Sequence, residues 1–130
     1  MTYELPNVAG ALLWDGQVYA HTAVKGDREP NLHPHVRDFL ARLPAERRER
    51  YAGRCPEVVL VSDRLWALDA RREAESLEPL SAEEAREALR GARLTLCRVR
   101  EPGDPAHGTY QQPCRTCDAL LTAFGIEVVR

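Results

Sequence analysis

The sequence predicts an α/β fold, a single sheet with helices packed on it, on three observations. Apolar residues alternate with polar ones in some stretches and recur at three- and four-residue steps in others, and the two kinds of stretch are interleaved along the chain. An Asp15-Gly16 pair joins two apolar stretches near the start. The length of 130 residues, with 44% hydrophobic side chains, is enough for a core without disulfide staples and short for two domains. One domain over residues 1–130 is the expectation.

Residues 8–14 and 17–24 flank the Asp15-Gly16 pair, whose tolerance of positive φ favours a tight turn between antiparallel strands. Residues 26–34, with two prolines and a glycine, read as a loop. Val36, Phe39, Leu40 and Leu43 then mark an amphipathic helix that Pro44 is expected to end or kink, followed by a short polar helical turn over 45–51. His33 and His35, on either side of Pro34, are expected to cap that helix. Residues 55–69 combine β-branched content with apolar positions Val58, Val61, Leu65 and Leu68 at helical spacing. Pro56 suits a first helical position and Glu57 suits the positive end of the dipole, so a helix is expected. Ser81-Ala-Glu-Glu84 is a capping box opening a surface helix that stops at Gly91. Residues 92–100 alternate as a strand with Leu94 and Leu96 inward, 101–112 form a loop, 113–124 a helix closed by Gly125, and 126–129 a last strand.

Charge and composition exclude several classes of function. Eighteen basic against 20 acidic side chains give a net charge of -2, so no chain-wide field for polyphosphate is expected, although every basic residue except Lys25 is arginine. The longest apolar run, 8–14, falls far short of the ~18 residues of a membrane span, and no membrane partner is expected. The first residues lack the basic start and apolar stretch of a secretory signal, which predicts a cytoplasmic protein. The Arg47-Arg48-Glu49-Arg50 run reads as a solvated helical face, and Trp14 and Trp66 as packing residues, with base stacking the alternative for an exposed indole.

The chemistry lies in two short motifs, Cys55-Pro56-Glu57 and Pro113-Cys114-Arg115-Thr116-Cys117, each opening an expected helix. Thiols three residues apart in a first helical turn share one side, and a helix N-terminus favours the thiolate that a metal requires. With Cys55 as a third ligand, a tetrahedral zinc keeps one position open, as in catalytic rather than sealed structural sites. Such a zinc brings the pKa of a water toward ~7. Glu57, two residues from a ligand, does not share its helical face but reaches the open position, where it suits a proton carrier. Two alternatives stay open: a thioredoxin-like dithiol at Cys114 and Cys117, and a structural zinc sealed by Cys97 or His107. Cys97 otherwise reads as a buried core thiol.

A ligand followed at two residues by glutamate, and later by Pro-Cys-x-x-Cys, resembles the zinc nucleobase deaminases. Val8-Ala-Gly-Ala-Leu-Leu with Asp15-Gly-Gln-Val-Tyr19 resembles the opening hairpin of cytidine-deaminase-like proteins. Leu32-His-Pro, Phe39-Leu, Leu43-Pro, Gly53-Arg-Cys-Pro-Glu57, His107-Gly-Thr and Pro113-Cys-Arg-Thr-Cys117 with Leu120-Leu resemble the YwqJ-like deaminases of bacteria. The resemblance covers most of the chain and implies a three-layer α/β/α sandwich, a mixed sheet with a leading β-hairpin. It also implies one catalytic zinc on Cys55, Cys114 and Cys117, Glu57 as proton shuttle, and hydrolytic deamination of a nucleobase. Cytosine in single-stranded DNA or RNA is the first expectation. A free nucleoside of metabolism and a non-catalytic zinc-stabilised binding module are the rivals. The relation to polymorphic toxins implies secretion within a larger toxin and an immunity protein as partner. His21, Thr22, His107, Pro56 and Pro113 are the candidate substrate contacts. Where nucleoside deaminases carry an asparagine and a glutamate after the second strand, this chain has His21-Thr-Ala-Val-Lys25, so ribose recognition of that kind is not expected.

Overall fold

The computed structural model describes residues 8–22, 31–44 and 55–130. The expected end of the second strand at 23–24, most of the 26–34 loop, the 45–51 turn with its arginine run, and Gly53-Arg54 lie outside the described residues. Within them the order is β1 (Val8–Trp14), β2 (Gln17–Thr22), α1 (Pro34–Arg42), α2 (Pro56–Ala74), α3 (Ala82–Leu89), β3 (Arg93–Arg98), α4 (Arg115–Ala123) and β4 (Glu127–Val128).

The strands form one mixed sheet in the order β2-β1-β3-β4, with β1 antiparallel to both β2 and β3, and β4 parallel to β3. The chain reverses between β1 and β2 at Asp15 (φ 50°) and Gly16 (φ 75°), the two successive positive values that a two-residue turn of the right hand requires. Pairing of Leu12 with Tyr19 and Leu94, and of Gly10 with His21 and Leu96, puts these residues on one face. That face carries the core. Leu12, Leu94 and Leu96 join Val36 and Leu40 of α1, Val58, Leu60, Val61 and Leu65 of α2, Ala85 and Leu89 of α3, and Leu120 and Leu121 of α4 in one buried cluster. The opposite face bears Ala9, Ala11, Leu13, Val18, Thr95 and Cys97, with Leu13 42% and Val18 68% exposed. Among the described residues, every helix therefore contributes to the same side of the sheet.

Helix α2 is the central element. Its first half is buried on all sides, from Pro56 to Ser62, which is why its valine-rich start reads like a strand while its surroundings make it a helix. It runs to Ala74, beyond the expected end near Asp69. Leu77 N donates to Arg72 O and Ser76 N to Glu73 O, closing a Schellman motif in which Ser76 (φ 60°) takes the left-handed position usually given to glycine. The stop was hidden because the residue is not glycine. In α4 the same motif does use Gly125. Helix α4 starts later than expected: Cys114 is its N-cap, so Pro113 precedes the cap instead of occupying the first turn. The expected 101–112 loop is also partly paired. Arg98 N donates to Thr109 O, Gly108 N to Arg98 O and Gln111 N to Leu96 O, so this segment takes the edge of β3 that β4 leaves free.

A buried polar clamp holds α1 to α2. His33, 2% exposed, caps α1 by accepting from His35 N at Nδ1, so its Nε2 carries the hydrogen and donates to Asp69 Oδ2 at 2.6 Å. The other Asp69 oxygen accepts from Leu80 N, and His33 N donates to Ser62 Oγ. Burial pushes the Asp69 carboxyl up, but the His33 and Leu80 hydrogen bonds and the nearby His33 and His35 rings outweigh it and hold the group below its ordinary value near 3.8. Its contribution to stability is thus complete above that value and is lost as pH falls through the lower folded one. Asp69→Ala is expected to cost about 1–3 kcal/mol in urea unfolding at near-neutral pH. The difference from the unsubstituted chain should shrink below about pH 4; a difference independent of pH would show that the carboxylate charge plays no part.

Candidate metal centre and its carboxylate

Both motifs fold as helix starts, and for the same local reason. Cys55 is the N-cap of α2 and Cys114 that of α4, each in extended backbone (ψ 148° and 170°) just before the first turn. Pro56 at the first position of α2 has no N–H to leave unpaired. Cys114 Sγ accepts from Cys117 N at 3.4 Å, a sulfur in the role that serine or aspartate usually plays. Cys117, in the first turn of α4, is fully buried, while Cys55 and Cys114 are half-buried.

The three sulfurs lie within 4.8 Å of one another, with Cys55 and Cys114 at 3.9 Å. A tetrahedral ion with Zn–S bonds of about 2.3 Å sets its sulfurs about 3.8 Å apart, so the set fits a metal after movements below about 1 Å. The thiols are electrically unequal. Cys114 is lowered by the hydrogen bonds from the Cys117 and Cys55 thiols and by the backbone N–H groups of Cys117 and Thr116, against the effect of burial. Cys55 is raised chiefly by its hydrogen bond to Cys114, and Cys117 by its bonds to Cys114 and Cys55. Of the three thiols, Cys114, at the positive end of α4, is therefore the one most readily ionised.

Glu57, 2% exposed, lies against this cluster. Burial pushes its carboxyl above the usual range, opposed by its own backbone N–H and by the Cys117 thiol. Its Oε1 is buried and has no hydrogen-bond partner among the described residues. An orphaned carboxylate oxygen beside three converging sulfurs is what a site leaves for a polar atom held between metal and carboxylate.

The remaining expected residues separate. His21 lies opposite Gly10 on the helix-bearing face of the sheet, its Nδ1 at 2.6 Å from Thr22 O. Thr22, one residue on, faces the other way and is exposed. Pro56 is buried against the sheet, and Pro113 is half-buried ahead of the Cys114 cap. The exposed His107 closes its own loop: its Nδ1 accepts from Arg100 N. Cys97 is half-buried on the face away from Leu94 and Leu96, bridging Tyr110, and stands outside both the core cluster and the sulfur set. The indole N–H groups of Trp14 and Trp66 donate to Ala88 O and Asn31 O; Trp14 packs half-buried against the core, whereas Trp66 is exposed, with its ring edge against His33. Sequence reasoning missed Arg98, whose guanidinium donates to Thr109 Oγ1 and Tyr110 O and so braces the segment leading into Cys114. It also passed over Gly10, whose place inside a strand is a signal of close backbone approach.

A mixed sheet backed by helices, two of which begin at a cluster of three thiols and a buried carboxylate, defines an α/β protein of the deaminase-like class. The chain belongs to the YwqJ-like deaminase family, whose family model matches residues 2–126. No curated protein and no solved structure matches it. No described helix is long and apolar enough to cross a membrane.

Zinc(II) added to metal-free protein is expected to bind at one ion per chain and to raise thermal stability, by about 2.7 kcal/mol at a hundred times its Kd. Cys114→Ser should weaken that binding at least tenfold, to about the extent seen when metal sites lose supporting groups. Metal analysis after dialysis, together with thermal melts, checks both.

Proposed function

We propose that the protein is a zinc-dependent hydrolytic deaminase of an amino-bearing nucleobase, cytosine first, within single-stranded nucleic acid. The observation that carries this reading is the buried Glu57 Oε1, without a partner among the described residues, beside the sulfurs of Cys55, Cys114 and Cys117. Cys55, Cys114 and Cys117 are the ligands. Zinc, when bound, supplies a water acidic enough to lose its proton near neutral pH.

Glu57 takes that proton, and the raised affinity of its buried carboxyl for hydrogen suits it to hold one. It delivers that proton to the ring nitrogen next to the amino-bearing carbon as the water oxygen bonds to that carbon, then takes the second water proton from the new hydroxyl as the carbonyl forms and hands it to the amino group, which leaves as ammonia. Acid and base are one residue because the proton taken is the proton returned. His21, on the helix-bearing face across from Gly10, Pro56 within the first motif and Pro113 at the head of the second are proposed to line the base. The slightly acidic balance of charge favours a small or single-stranded substrate over a duplex. The three-layer α/β/α sandwich led by the β1–β2 hairpin belongs to the same proposal. Family membership supports it, as do Leu13 and Val18, apolar side chains on the face a second helical layer would cover.

Glu57→Ala is expected to keep its zinc and its fold and to lose turnover by about 10²–10⁴. Ammonia release from cytidine, adenosine and single-stranded oligonucleotides of each composition measures it and names the substrate. Turnover unchanged in this variant would falsify the mechanism; release from nucleosides alone would move the assignment to a metabolic deaminase.

A further inference from the structure

Gly10 sits in the middle of β1, and its φ lies outside the left-handed region in which glycine is favoured, so the backbone itself accepts alanine. Space is what demands glycine here. A Cβ at Gly10 would lie 3.0 Å from Leu96 Cδ2, 3.1 Å from Pro56 Cβ and 3.3 Å from Leu60 Cδ1. The two leucine contacts are ends of flexible side chains that can swing aside. Pro56 Cβ belongs to a ring fused to the first residue of α2, directly between Cys55 and Glu57, and yields only if the start of the helix moves.

We propose that Gly10 is a positioning residue for the site: its bare backbone sets how closely the first turn of α2 rests on the sheet. It thereby sets where the Cys55 sulfur and the Glu57 carboxyl stand relative to Cys114 and Cys117. Those two cysteines are carried by α4, whose lead-in is fixed independently, by Gln111 N donating to Leu96 O. Leu96 is the residue paired with Gly10. Both halves of the site are thus referred to one row of the sheet, Pro56 seated on Gly10 and Gln111 bonded to Leu96. A methyl group at Gly10 lifts one half and leaves the other in place. The inference rests on the three cysteines and Glu57 forming the metal and proton site, and its test reads sulfur geometry separately from metal chemistry.

The test is a double-mutant cycle of Gly10→Ala with Pro56→Gly, which removes the Cβ on the other side of the contact. Two quantities are measured in the full chain. One is Co²⁺ affinity, from the thiolate-to-cobalt absorption band. The other, in metal-free protein, is the rate at which diamide links Cys55 to Cys114, followed by peptide mapping; each thiol gives up one hydrogen and the diazene becomes a hydrazine. Gly10→Ala should retain the circular dichroism of the folded chain, bind Co²⁺ about tenfold more weakly and link the two cysteines correspondingly more slowly. On the Pro56→Gly background the same change should alter either quantity less than about twofold. Equal losses on both backgrounds, or no loss on either, overturn the proposal. If Gly10→Ala lowers the yield of folded chain, Gly10→Ala with Leu96→Val makes room away from the helix and carries the same comparison. An unsubstituted chain that takes up no cobalt sinks the metal reading alone, since the linkage rates decide the seating of α2 by themselves.

Discussion

The positive ends of α2 and α4 meet where the Cys55 and Cys114 sulfurs stand 3.9 Å apart, an apposition that negative charge between them stabilises. The chain supplies that charge from its own first turns. Cys55 and Cys114 are the caps, Cys117 is buried one turn along and Glu57 follows Pro56, so the groups that stand at the two dipoles are the same groups that suit a cation. Of the three thiols, Cys114 is the one held below its ordinary value, by the hydrogen bonds it accepts at the start of α4. The Glu57 carboxyl stays high because burial removes the water that would otherwise stabilise its charge.

Holding two helix ends in apposition is a packing problem, and the structure solves it from the opposite ends of α2. At the start, the helix rests on the sheet through Pro56 and Leu60 at Gly10. Further along, the Arg64 guanidinium lies 3.6 Å above the Tyr19 ring, and the His33–Asp69 pair ties the helix to α1 and to Leu80. Ser62, His33 and Asp69 resemble the components of a hydrolytic triad only in name. Ser62 accepts from a backbone N–H and both His33 nitrogens are engaged, so the group is a clamp. The second half of α2 is largely exposed because α1, α4 and the sheet already cover the first.

Most of the local structure was legible because it is written in short-range chemistry. The turn at Asp15-Gly16, the Ser81–Glu84 capping box, the proline at the start of α2 and Gly125 after α4 each act within four residues of themselves. The expected boundaries failed where a residue took an unusual part. Ser76 ended α2 in a glycine conformation, Cys114 capped α4 in place of an oxygen side chain, and 108–111 found a pairing edge on β3 that no alternation announces. Cys97 shows the same limit: alternation placed it on a strand but did not decide its face, which the pairing with Ala9 does.

By itself the sequence determined the kinds of atom in the site, since sulfur, carboxylate and helix start are fixed by residue type and by spacing within one turn. It did not determine that Cys55 and Cys114, 59 residues apart, touch. That distance follows from the order of strands, which brings β1 and β3 side by side, and from a glycine small enough to let a helix lie on the row they share. Nor did it decide that Glu57 is buried, with an oxygen unpartnered among the described residues, because burial is a property of everything packed around a group. Local chemistry is settled by covalent neighbours; the charge, exposure and reach of a side chain are settled by what the fold brings next to it.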